Sequence, residues 1–147
     1  MIAVINYGVG NLFSLTASLR FLGAETVVTN KAEDLQAADH IILPGVGAFE
    51  DAIHKLRATG LVETIAEETE KGTPLLGICL GMQLLFERSY EYGEHQGLGL
   101  IAGEIESIQK DLPEHSDLKV PHIGWNSLDL KKDRSLFKYI DQGDYVY

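Results

Sequence analysis

Four short apolar runs stand out from a chain that otherwise mixes polar and apolar positions. They are Ile2-Ala-Val-Ile5, the stretch Glu25–Thr29, His40–Leu43, and Pro74-Leu-Leu-Gly-Ile78. Each is too short for a helix and is bounded by turn-forming residues, so each predicts a strand, with the first and last expected to be buried. Between them the apolar spacing lengthens to that of helices. Leu12, Leu15, Leu19 and Leu22 form one stripe closed by Gly23. A second stripe, Phe49, Ala52, Ile53 and Leu56, is closed by Gly60, and a third, Leu61, Ile65 and Ala66, by Gly72. Leu80, Leu84 and Leu85 continue the pattern and predict a helix over Leu80–Arg88. The resulting order, β-α-β-β-α-α-β-α, implies an α/β protein with a mainly parallel sheet and helices on both faces.

The rhythm changes after Glu94. Gly97-Leu-Gly-Leu-Ile-Ala-Gly103 carries too many glycines for a helix, Glu104–Ile108 alternates with Ile105 and Ile108 as core candidates, and Pro121–Leu130 reads as extended. Lys110–Lys119 is polar and reads as a solvated loop. Asp144-Tyr-Val-Tyr147 begins a strand with nothing after it. The expectation is therefore one domain, 1–147, that is incomplete at its C-terminus.

Composition narrows the class. The chain is 45% hydrophobic and 23% charged, ordinary for a globular domain. A formal net charge of −10 argues against nucleic acid as a partner. No apolar run approaches the roughly 18 residues of a membrane span. Met1-Ile-Ala-Val-Ile5 lacks the basic start and cleavage site of a signal peptide. A single cysteine cannot form an internal disulfide, and a cytoplasmic location fits.

That cysteine, Cys79, sits between the last strand and the helix that follows it, framed as Gly77-Ile-Cys79-Leu-Gly81. A lone cysteine in an apolar strand is commonly just a small core residue. Glycines two positions before and two after suit instead a sharp turn that lifts one side chain out of the sheet, as in a G-x-S-x-G elbow. The C-terminal edge of a parallel sheet is also where such folds bind ligands. A cysteine attacking a carbonyl needs a base and oxyanion donors. The backbone N–H of Leu80 is one candidate donor, and that of Val46, within Pro44-Gly-Val-Gly47, is the other. Gln83, one helical turn after Cys79, could bond a substrate held over the sulfur. Gly8-Val-Gly10 lacks the third glycine of a dinucleotide fingerprint, because Phe13 stands there. Five histidines are present, His40, His54, His95, His115 and His122, and none stands in a pattern that marks it as the base.

GICLGMQLLFE, with LPGVGAFEDA before it, PHIGWN after it and the opening NYGVGN, resembles a class I (triad) glutamine amidotransferase throughout its length. PHIGWN is similar to the glutaminase branch that serves imidazole glycerol phosphate synthesis in histidine biosynthesis. Neighbouring cysteine proteins of similar fold carry His directly after the nucleophile, where Leu80 stands here. The resemblance implies a flavodoxin-like sheet and glutamine as substrate, with no cofactor and no metal. It makes Cys79 the nucleophile, the amides of Val46 and Leu80 the oxyanion hole, and Gly47 and Gln83 contacts to glutamine. It also implies a heterodimer with a (β/α)8-barrel cyclase that receives the ammonia, with Asn11, Trp125 and Asn126 as candidate contacts. The family's catalytic His and Glu lie in a His-Pro-Glu motif that these 147 residues do not contain. That difference leaves open a non-catalytic regulatory or interaction subunit on the same fold, or the glutaminase of another amidotransferase.

Overall fold

The computed structural model describes residues 1–131 and 137–147. Two compact units divide the chain, Met1–Ser107 and Ile108–Tyr147.

In the first unit β1 (Ile2–Ile5) runs into α1 (Leu12–Phe21), β2 (Thr26–Thr29), α2 (Ala32–Gln36) and β3 (His40–Leu43). Then come α3 (Phe49–Ala58), α4 (Val62–Glu70), β4 (Leu75–Gly77) and α5 (Leu80–Gln83). The four strands pair in parallel in the order β2-β1-β3-β4. The expected strands fall within a residue or so of where the apolar runs place them. The short helix α2 had no apolar stripe to announce it.

Strand register explains the layering. Ala3, Val27, Ile41 and Leu75 are aligned across the sheet and so share a face. That face packs on Leu35, Phe49, Ala52, Ile53, Leu56, Leu61 and Ile65, contributed by α2, α3 and α4 with the residue leading into α4. On the opposite face Val4 and Ile42 are buried too, and α1 is the helix of that side, packing against β2.

Local chemistry sets the helix ends. Asn11 Oδ1 accepts from Ser14 N at 3.2 Å and caps α1. Past its end Gly23 takes φ +72, with its N–H on Arg20 O and the Ala24 N–H on Leu19 O. Leu22 therefore lies off the helix, 75% exposed, and is not the last member of the inward stripe.

Two other expectations change. β4 is not a buried strand. It is the edge of the four-stranded sheet, and Leu76 is 45% exposed. The helix after Cys79 stops at Gln83, not Arg88, and the chain goes straight into β5 (Phe86–Ser89). Leu84 and Leu85 are buried as their spacing implied. Their carbonyls, however, accept from Leu98 N at 2.9 Å and Leu100 N at 2.8 Å, so the acceptors a longer helix would need are taken by a distant segment. β5 pairs antiparallel with β6 (His95–Gln96) and parallel with β7 (Ile101–Ile105), forming a second small sheet.

In the second unit a 3-10 turn, Ile108–Asp111, leads to a two-stranded ladder of β8 (Asn126–Ser127) and β9 (Tyr145–Val146). Ile108 is half exposed in that turn and is not a core residue.

Core and surface leucines should separate sharply on mutation. Leu56, fully buried, should lose about 2–5 kcal/mol as Leu56→Ala. Leu22→Ala should stay within about 0.5 kcal/mol. Urea unfolding midpoints measure both, and equal losses would refute the layer assignment.

Candidate active site

The site begins with the backbone of Cys79, which adopts φ 54 and ψ −119, a region that side-chain-bearing residues rarely enter. The conformation is over-determined by its neighbours. Ile78 N donates to Leu43 O at 3.0 Å, Gly81 N to Ile78 O at 3.0 Å, and Met82 N to Cys79 O at 2.9 Å. The thiol is exposed at the C-terminal edge of the sheet, beyond β4.

Both framing glycines are required by close backbone contact. A Cβ at Gly77 would lie 2.5 Å from Met82 Cα, and one at Gly81 would lie 1.9 Å from the Leu43 carbonyl oxygen. The elbow is thus pressed against the end of β3.

The loop leaving β3 comes to the same place. A Cβ on Gly45 would meet Gly81 N at 2.5 Å and the Leu80 carbonyl carbon at 3.0 Å. The loop passes from buried Pro44 and Gly45 to exposed Val46 and Gly47, then back to buried Phe49. Val46 and Cys79 line one cavity of about 290 Å³, whose other walls include Asn11, Ser14, Leu15 and Ile78. Among the described residues neither the Val46 nor the Leu80 N–H has a hydrogen-bond acceptor. Two free donors therefore lie near Cys79.

Gln83 follows one turn on, its N–H on Cys79 O at 3.2 Å, and is half-buried. Gly47 has φ +92 and open space around its Cα. Asn11 both caps α1 and walls the cavity. Trp125 and Asn126 belong to the second unit. There Trp125 is 69% exposed and makes an edge contact with Tyr147 at 5.5 Å, and Asn126 Nδ2 lies 2.7 Å from His122 Nε2.

Among the described residues no histidine lines the Cys79 cavity. His40 opens β3 and so lies at the opposite, N-terminal edge of the sheet. His54 is exposed on α3, and Glu50 approaches His95 Nδ1, at 3.9 Å, across the fold. His115 and His122 are exposed in the second unit. A larger cavity, about 670 Å³, is lined by Glu87, Arg88, Glu94 and Gln96–Gly99. It holds no nucleophile, and its Arg88 is engaged by Glu94 at 3.2 Å and Glu104 at 3.0 Å.

Two side chains beside the loop have partners that the sequence does not announce. Tyr7 donates its hydroxyl to Pro44 O at 2.7 Å, and Glu91 Oε2 accepts from Phe49 N at 2.7 Å. Tyr7 sits inside the NYGVGN turn, 37 residues from its partner. Glu91 is 42 residues from its partner in sequence.

If the Gly81 contact shapes the elbow, Gly81→Ala should make iodoacetamide modify Cys79 only as the protein unfolds. The unchanged chain should react well below its unfolding midpoint. Early, selective labelling of the variant would show that the close approach does not hold the turn.

Comparison with known proteins bears on the family and the fold. The family profile "Glutamine amidotransferase class-I" matches residues 3–146. The chain is 48% identical over 147 residues to the imidazole glycerol phosphate synthase subunit HisH of Caldanaerobacter subterraneus subsp. tengcongensis, covering all of this chain and 70% of that relative. It is 48% identical over 145 residues to the subunit of the same name from Aquifex aeolicus, covering 98% of this chain and 67% of the relative. The Lactococcus lactis subunit is 46% identical over 146 residues, with 99% and 69% covered. A crystal structure of a glutamine amidotransferase superposes with a TM-score of 0.57 at 25% identity, covering 71% of this chain and 56% of that one. A family match across nearly the whole chain, on a sheet whose edge presents an elbow cysteine between two free amides, places the chain in the class I glutamine amidotransferase family.

Proposed function

We propose that this chain hydrolyses glutamine and supplies the ammonia for imidazole glycerol phosphate synthesis in histidine biosynthesis. One observation carries the chemistry: the elbow sulfur of Cys79 shares a cavity with Val46 and follows a backbone that leaves the Leu80 and Val46 amides free. Cys79 Sγ attacks the side-chain carbonyl carbon of glutamine, and the two amides receive the negative charge that gathers on its oxygen. The C–N bond breaks, ammonia leaves with the proton given up by the thiol, and a glutamyl thioester remains. Water then adds to the thioester carbonyl, the C–S bond breaks, and glutamate leaves as the thiol is restored. Gly47 offers open backbone to the amino-acid end of the substrate. Gln83, one turn along α5, bonds it from the other side.

Ammonia is useful only if captured before it protonates or diffuses away. The relatives' names describe a subunit, and the reading extends this to a heterodimer with a (β/α)8-barrel cyclase in the cytoplasm. Asn11, Trp125 and Asn126 would contact that partner. Among the described residues no helix is long and apolar enough to cross a membrane.

The proton acceptor is assigned to the family's His-Pro-Glu motif, which has no counterpart within these 147 residues. The absence of histidine from the cavity lining favours one alternative, a non-catalytic subunit on the same fold. Glutamate release separates the readings, measured for this chain with and without cyclase and for a full-length relative with cyclase. A general base contributes ~10²–10⁴ in rate, and triad members act as a unit. The 147 residues alone should be slower by at least that factor and unrescued by the partner. Cys79 should nonetheless be alkylated saturably by a diazo ketone analogue of glutamine and protected by glutamine. Absence of protection would favour the non-catalytic subunit, and turnover matching the relative would mean that one of the five histidines serves as base.

A further inference from the structure

Helix α1 does not close the face of the sheet it lies on. None of its residues is buried, and even Leu15 and Leu19 of its inward stripe are only half-buried. The helix packs against β2, at one end of the strand order β2-β1-β3-β4. The other end of that face is bare, with Leu76 of β4 45% exposed and Ile78, just past the strand, 37%. The cavity of about 290 Å³ that Cys79 borders is the gap between α1 and the ends of β3 and β4.

No charged residue lines that gap. Leu15, Val46 and Ile78 supply hydrocarbon, and the amide and hydroxyl side chains among its walls, Asn11, Ser14 and Ser18, are neutral. Two of these are turned to the backbone of their own helix. Asn11 Oδ1 accepts from Ser14 N at 3.2 Å, and the Ser18 hydroxyl donates to Ser14 O at 3.0 Å. A charged group placed here would lose hydration without gaining a counter-ion. The α-ammonium and α-carboxylate of glutamine therefore belong outside the gap, as the reading that seats the substrate on Gly47 and Gln83 has it. Ligand pockets run from roughly 300 to 1,000 Å³, so this one suits a small uncharged group.

We propose that the gap is an apolar subsite adjoining Cys79, which takes the short hydrocarbon tail of an α,β-unsaturated aldehyde and so directs such compounds to the sulfur. The proposal rests on the reading of Cys79 as an accessible nucleophile. In these aldehydes the tail is carried by the β-carbon, the atom to which sulfur adds. A C–S bond forms there, the alkene electron pair shifts toward the carbonyl, and the proton given up by the thiol ends on the α-carbon. The adduct keeps every atom of the reagent, with its aldehyde intact. Because the sulfur borders the gap, the tail beside the new bond enters it while the aldehyde stays toward water. Full burial of each methylene accelerates addition by roughly fourfold.

The test is a homologous series on this chain: crotonaldehyde and the homologues with ethyl or propyl in place of its β-methyl group. Each rate of adduct formation, read by intact mass, is divided by the rate with glutathione, which removes intrinsic reactivity. The normalised rate should rise roughly two- to fourfold per methylene, and so roughly 4- to 16-fold from crotonaldehyde to the propyl homologue. Ser18→Leu adds bulk to the wall formed by α1 and, leucine being a good helix former, keeps the helix. It should flatten the series while leaving the crotonaldehyde and iodoacetamide rates within about twofold, since neither reagent carries a tail long enough to fill the gap.

A flat normalised series in the unchanged chain would overturn the proposal without recourse to any variant. A rise that persists in Ser18→Leu, or in urea above the unfolding midpoint where no cavity exists, would also overturn it. The glutaminase reading is judged separately, by protection of Cys79 with glutamine, and fails or stands independently of this series.

Discussion

The contact on which the site depends is the meeting of two backbones, the Leu43 carbonyl at the end of β3 and the chain at Gly81 just past the elbow. There is no room between them for a methyl group. That closeness lets Ile78 N reach Leu43 O and ties Cys79 into its positive-φ conformation. A strained turn of this kind costs on the order of 1–3 kcal/mol and persists only where the surroundings hold it. Here they do so with three backbone hydrogen bonds and two glycines. Because β3 and β4 are parallel neighbours, the loop that leaves β3 emerges beside Cys79. The sheet thereby brings Val46 to Cys79 from 33 positions earlier in the chain.

The second small sheet is tied to this arrangement. Leu84 and Leu85 enter the main core with their side chains while their carbonyls serve the segment Leu98–Ile101. The same two residues thus end α5 and dock the β5–β7 sheet. The route between β5 and β6 is what carries Glu91 to the first turn of α3. α3 also has Glu50 and Asp51 in its first turn and Lys55 and Arg57 in its last, a distribution that complements its dipole. Glu91 adds an acceptor to the end where free N–H groups accumulate.

The two faces of the sheet are unequally covered. The side under α2, α3 and α4 is closed, with Phe49, Ile53 and Leu56 essentially inaccessible. The side under α1 is open toward β4, where Leu76 and Ile78 remain accessible, and Phe13 and Phe21 of α1 are largely exposed. The cavity holding Cys79 opens on this less covered side, between α1 and the C-terminal strand ends. Access to the sulfur and incomplete coverage are the same structural fact there.

The sequence by itself determined the order of elements, the parallel sheet and the elbow. These follow from local rules: apolar runs of four or five residues, a 3.6-residue stripe in α3 that the structure matches at every position, and glycines at fixed distances from the one cysteine. It also determined the family, since motif residues at these spacings admit few readings. The tertiary structure decided what depends on long-range partners. Helix α5 ends at Gln83 because Leu84 and Leu85 give their carbonyls to residues 14 or more positions away. β4 is an edge because of strand order, which an apolar run cannot express. Leu22 escapes the core because Gly23 turns the chain one residue too soon for the stripe to hold. The partners of Tyr7 and Glu91 were hidden for the same reason. A hydrogen bond across 37 or 42 residues leaves no period in a sequence, and only folding brings its two ends within 2.7 Å.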